Sequence, residues 1–177
     1  MAAQVRPHSG FTLIELLVAI AIAGILLSLV GPSFRGFFAK KRVEGVASEL
    51  NTDIQYTRSE AVARNVAVQI TFGTNCYVIH LSSATAASCT QTTKTVTPAA
   101  AEIKTVQLDA GWNTTLSPQA GTPIVFDPVR ATPGAAGSID TTSSVGGSWQ
   151  VRSAVSIAGR VSTCSPNGSI KGYATTC

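Results

Sequence analysis

The sequence predicts an α+β protein: one long N-terminal α-helix, membrane-spanning in its first half and amphipathic in its second, packed on an antiparallel β-sheet domain. Three observations lead there. From Phe11 to Val30 the chain is apolar but for Thr12, Gly24, Ser28 and a single ionisable residue, Glu15. Apolar residues at helical spacing follow as far as Ala61. Beyond Asn65 the apolar period drops to two, the period of a strand.

The N-terminal run comes first. About twenty residues at about 1.5 Å each cover about 30 Å, the hydrocarbon thickness of a bilayer. A secretory signal puts its apolar stretch before the cleavage point and loses it. Here a polar leader with Arg6 and His8 ends at Ser9-Gly10, and the apolar stretch comes afterwards. That order predicts a clipped leader over 1–10 and a retained single-pass anchor over 11–31. The amphipathic half, 32–65, shows Val43, Ala47, Leu50, Ile54, Thr57 and Ala61 on one face, with Glu60 and Arg64 an i,i+4 pair on the exposed side. Allowing for a kink or melt near Pro32, residues 11–64 make a helix of roughly 80 Å.

The remainder, 66–177, is the β-rich domain. Val66, Val68, Ile70 and Phe72 alternate as a strand, and Tyr77–Leu81, Ile103–Leu108, Pro123–Phe126, Trp149–Ile157 and Val161–Cys164 are further candidates. Stretches 82–101 and 131–148, rich in Ala, Thr, Ser and Gly, read as loops. Trp112 and Trp149 read as core residues. His80, alone within a strand, reads as structural, and Asp127 before Pro128 as a turn residue.

At 177 residues the chain suits one domain plus an anchor. Hydrophobic residues make up 45% and charged ones 12%, and the excess is concentrated in the N-terminal run. A formal charge of +4 does not by itself imply nucleic acid, and loss of a leader with Arg6 lowers it. Cys76, Cys89, Cys164 and Cys177 lack the paired spacing of a zinc site, with only His8 and His80 to assist, so no metal and no cofactor are expected. The pairing Cys76–Cys89 and Cys164–Cys177 closes two short loops, each worth about 3 kcal/mol in the chain-entropy model. The alternative is four buried thiols in a cytosolic protein; a membrane segment favours oxidation outside the cytoplasm.

Glu15 is the informative residue. A carboxylate inside a membrane helix costs several kcal/mol unless it is paired, and so marks function. Cleavage after Gly10 makes Phe11 the new N-terminus, with Glu15 one turn away, where the helix dipole favours an anion. The α-amino group of a neighbouring subunit can neutralise it and set one helix in register with another. The other reading is a Glu close enough to the interface to stay hydrated.

Gly10-Phe11-Thr12-Leu13-Ile14-Glu15-Leu16 resembles the prepilin cleavage motif of type IV pilins and type II secretion pseudopilins. The resemblance implies a pilin-like fold, cleavage after Gly10 by prepilin peptidase, N-methylation of Phe11 and a need for Glu15 in assembly. Pro32 falls where many pilins place a kinking proline. Leu50 to Asn65, with Gln55, Arg58-Ser59-Glu60-Ala61 and Arg64-Asn65, is similar to the helix end of the GspH/FimT/FimU minor pilins, and Ile124–Pro128 and Ser156–Val161 to their late strands. Implied with it are a minor structural subunit at or near a filament tip, other pilins or pseudopilins as partners, no small-molecule substrate, and an inner-membrane precursor with a periplasmic C-terminal domain. One count runs the other way. Lys40, Lys41 and Arg42 outnumber the leader's Arg6 and initial amine, so the positive-inside rule puts the domain in the cytoplasm; the motif and the cysteines override it.

No P-loop, G-x-S-x-G, H-E-x-x-H or dinucleotide fingerprint occurs, so no enzyme is expected. The C-terminal segment carries Arg130, Arg152, Arg160 and Lys171 against Asp140. Such cations can contact phosphates without reading bases. Some pilins of the FimT type bind DNA through a Gly-Arg-x-Arg motif, and Gly159-Arg160-Val161-Ser162 keeps only the first arginine. Arg152, Arg160 and Lys171 are thus candidate DNA contacts, with plain solvated charge as the alternative.

Overall fold

The computed structural model describes residues 11–177, apart from the side chains of residues 29–33. The leader, with Gly10, lies outside the described residues. Helix α1 spans Leu13–Arg64, 52 residues, and stays helical through Pro32, without the melt that the sequence allowed for there. It starts at Thr12, whose Oγ1 accepts from the Glu15 N–H at 3.3 Å. It ends at Asn65, whose left-handed backbone (φ 53°) turns its N–H back onto the Ala61 and Val62 carbonyls. Asparagine tolerates that conformation better than most residues, which is why the helix stops there.

Ten strands follow: β1 Val68–Phe72, β2 Cys76–Leu81, β3 Ala86–Cys89, β4 Lys94–Thr97, β5 Glu102–Gln107, β6 Thr115–Ala120, β7 Ile124–Phe126, β8 Gly137–Ser143, β9 Trp149–Val155 and β10 Val161–Cys164. They form two antiparallel four-stranded sheets, ordered β5-β2-β1-β7 and β10-β9-β8-β6, and a β3-β4 ribbon. The stretches 82–101 and 131–148, expected as loops, therefore hold three strands. In the second of them β8 lies between β6 and β9, where neighbours on both sides supply the ladder that its Gly, Ser and Thr residues do not advertise.

Both sheets share one core with the helix. Leu50, Ile54 and Ala61 of α1 pack with Ile70, Tyr77, Ile79, Ile124 and Phe126 of the first sheet and Leu116, Ile139 and Val155 of the second. The helical face from Val43 to Ala61 is buried throughout, and burial of each large apolar side chain contributes about 1.5–3 kcal/mol. A smaller cluster joins Val43 and Ala47 to Val151 and Ile170, with Trp149 and Tyr173 half-buried against it. Disulfides Cys76–Cys89 and Cys164–Cys177 tie the β3-β4 ribbon to β2 and the C-terminal loop to β10. Trp112, expected in the core, is instead 38% exposed, because it sits on a one-turn 3-10 helix at the domain's edge.

Candidate functional site

Two features of the chain have no role in holding the fold together: the first half of α1 and a set of unpaired cations. Every residue from Phe11 to Ser28 is exposed. That face includes Leu13, Ile14, Leu16, Leu17, Ile20 and Ile22, which pack on nothing in the domain. Among the described residues no helix is long and apolar enough to cross a membrane. Glu15 lies in the first turn, close to the positive end of the helix dipole, and among the described residues it forms no ion pair. An apolar rod of this kind is suited to burial against other apolar surface, where a carboxylate costs several kcal/mol unless it is paired.

The candidate DNA contacts Arg152, Arg160 and Lys171 do not form one patch. Arg152 is held by Asp140 through two bonds, Nε–Oδ1 at 2.7 Å and Nη2–Oδ2 at 2.8 Å, across the register pair Asp140↔Arg152. Lys171 is exposed on the stapled C-terminal loop, whose Ile170 packs beside Val43. Arg160 is exposed in the β9–β10 turn, where the Ser156 N–H donates to the Arg160 carbonyl at 2.9 Å. Gly159 of that turn faces the guanidinium of Arg58, 3.6 Å from where a Cβ would stand. Arg58 is fifteen residues beyond Val43 along α1. At about 1.5 Å per residue, Lys171 and Arg160 therefore occupy levels roughly 20 Å apart.

The family model described as Type II transport protein GspH matches residues 46–159, well over half the chain. The chain belongs to the GspH family. The prokaryotic N-terminal methylation motif matches residues 5–31, which include Gly10, Phe11 and Glu15. No solved structure matches the chain. Together the two matches make it a pilin-like subunit, a minor pilin or pseudopilin, of a structural and non-enzymatic family.

Other polar groups of this GspH-family chain serve the fold. His80 is fully buried; its Nδ1 meets the Leu81 carbonyl at 2.9 Å and its Nε2 the Thr71 hydroxyl at 3.0 Å, so both nitrogens are occupied. Asp127 Oδ1 accepts from the Val129 and Arg130 N–H groups, as a turn residue does. A hollow of about 550 Å3 lined by Asn75, Gln91, Asn113, Thr115 and Thr142, with Ser143, Ser144 and Ser148, holds amides and hydroxyls but no titratable side chain to activate them. Sequence reasoning missed Asp53. It lies buried on α1, accepts from Tyr77 Oη at 2.7 Å and pairs with Lys104 Nζ at 2.7 Å, locking the helix to β2 and β5. Burial, with this carboxylate beside it, pushes the Tyr77 phenol well above its ordinary range. An aspartate three residues past Leu50 and one before Ile54 breaks the apolar stripe, and that was the available signal.

Proposed function

We propose that this chain is a minor subunit at or near the tip of a type IV pilus, cleaved after Gly10, methylated at Phe11, anchored through residues 11–31, and assembled by pairing Glu15 with a neighbour's N-terminal amine. The observation that carries this is the bare first half of α1, apolar on all sides and carrying a carboxylate with no partner of its own. A rod of this kind is a liability in water, and its burial belongs to another phase or another subunit. The inner-membrane precursor with a periplasmic domain accords with this, as do the disulfides.

The test is Glu15→Ala in the full chain. Incorporation into sheared filaments should fall by about tenfold, the equivalent of losing one charge-assisted hydrogen bond, while the thermal melt of the domain stays unchanged. Wild-type incorporation of the variant would sink the proposal. So would mature protein that still carries Met1–Gly10 in its mass spectrum.

Two narrower readings have an observation each. The family model's own description favours an H-type pseudopilin of type II secretion. Neighbouring genes for secretion core components, in place of other minor pilins and a retraction ATPase, would decide for it. The nearness of the Arg58 guanidinium to Gly159, in the turn that carries the exposed Arg160, favours a DNA-binding minor pilin acting in uptake. Loss of duplex-DNA retardation in Arg160→Ala, with Lys171→Ala and Arg152→Ala compared alongside, tests that reading.

A further inference from the structure

Where the apolar run of α1 ends, aromatic and basic side chains from four parts of the chain gather along about four turns of the helix, from Phe34 to Ala47. On the helix, Phe34, Phe37 and Phe38 are each more than half exposed. Their rings touch, with centroids 6.2 Å apart for Phe34 and Phe38 and 5.9 Å for Phe37 and Phe38. Arg35 lies among them, and Lys40, Lys41 and Arg42 follow. The Arg42 guanidinium donates to the Gly111 carbonyl at 3.4 Å, which brings the exposed Trp112 alongside. The loop between β8 and β9 presses backbone to backbone on the helix: a Cβ on Gly146 would stand 2.5 Å from the Gly36 Cα. Trp149 follows two residues after Gly147, whose missing Cβ its ring nearly occupies, at 2.9 Å. The C-terminal loop completes the ring, with Ile170 and Tyr173 packed at Val43 and Ala47 and Lys171 left exposed.

The charge of this ring is one-sided. Arg35, Lys40, Lys41, Arg42 and Lys171 outnumber the carboxylates of the same segments, Glu44, Glu49 and Asp109. Glu44 binds Lys41 at 2.7 Å and stands 4.0 Å from Lys40, and Asp109 is occupied by the Gly111 N–H. Indole and phenyl rings favour the headgroup level of a bilayer. Lysine and arginine are drawn to anionic headgroups within a Debye length, each biasing the docked population by about fivefold.

We propose that this ring is a docking collar that seats the domain on the anionic phospholipid surface of the membrane before the subunit enters a filament. The collar rests on the reading that the first half of α1 is in the bilayer. It gives a role to Lys40, Lys41 and Arg42, whose position beyond the span runs against the positive-inside count. Their partner on the outer face is lipid headgroup, gained after the domain has crossed.

Both tryptophans of the chain belong to the collar, so intrinsic fluorescence reports it directly. The full chain is reconstituted with vesicles of phosphatidylcholine alone or mixed with phosphatidylglycerol, each containing a lipid brominated near the headgroup. Flotation on a density gradient reads the anchor, and tryptophan quenching reads the collar. The chain should float with both vesicles and be quenched more strongly in the anionic ones. The triple change Lys40→Gln, Lys41→Gln and Lys171→Gln should leave flotation intact and abolish the extra quenching. Raising the salt should do the same to the unaltered protein. Equal quenching in the two vesicle types, or extra quenching that survives both the substitutions and salt, would overturn the collar and leave the anchor standing. Failure of the unaltered chain to float with either vesicle would overturn both.

Discussion

The two halves of α1 have similar backbones and opposite destinies. Ile22 and Ile54 sit on the same uninterrupted helix; one is 53% exposed and the other fully buried. The distal half is amphipathic because two sheets claim one of its faces, and its buried face even admits Asp53, which Tyr77 and Lys104 satisfy. The proximal half is apolar all round and is claimed by nothing in the domain. A helix hydrophobic on every side belongs to a membrane or to a bundle of like helices. The lesson is that one secondary element can be half fold and half interface, with the boundary at the Phe34–Arg42 segment.

The contrast can be broken most directly with one substitution in each half. Ile54→Ala should cost about 2–5 kcal/mol, since a fully buried methyl-rich side chain leaves a cavity between helix and sheets; a urea melt of the full chain in detergent measures it. Next in size, removing one disulfide by Cys76→Ser with Cys89→Ser should cost about 3 kcal/mol, because a loop closed across 13 residues loses its constraint on the unfolded chain. It should loosen the β3-β4 ribbon while leaving filament incorporation by α1 in place. Melts under oxidising and reducing conditions check this.

Smaller still is an acid effect confined to the domain. The Lys94 ammonium, and after it the Thr105 hydroxyl, hydrogen-bond Glu102 and hold its carboxyl below the ordinary value of 4.5. A depressed folded pKa stabilises above the unfolded value and loses that contribution as pH falls through the folded one. Stability should therefore decline below about pH 4.5, and Lys94→Ala should flatten that limb by less than about 1 kcal/mol, as befits an exposed, screened pair. The smallest change in stability belongs to Ile22→Ala, within about 0.5 kcal/mol in the same urea melt. A large destabilisation there would erase the distinction between the two halves.

Much of this was legible in the chain. The stripe Val43, Ala47, Leu50, Ile54, Thr57 and Ala61 repeats at helical spacing, and all six residues are buried. The alternation Val68, Ile70, Phe72 marks β1, and the four cysteines pair within their own short loops. The second sheet was harder to see. Its central strand β8, Gly-Ser-Ile-Asp-Thr-Thr-Ser, has the composition of a loop, and becomes a strand because β6 and β9 bond both its edges and Arg152 neutralises Asp140. The place of Trp112 was illegible for a related reason. Trp112 looks like core in isolation, and only the contact between Arg42 and Gly111 places it at the helix boundary.

Sequence alone determined the elements whose signal is local: the cleavage motif, the apolar span with Glu15, the amphipathic stripe and the short-loop cysteines. These follow from period and spacing, which neighbouring residues set between themselves. Only the tertiary structure decided that there are two sheets, that Arg152 is spent on Asp140, and that Arg160 and Lys171 stand at separate levels along α1. Those are pairings between residues distant in the chain, and the energy that selects them exists only once the helix and both sheets have closed on a common core.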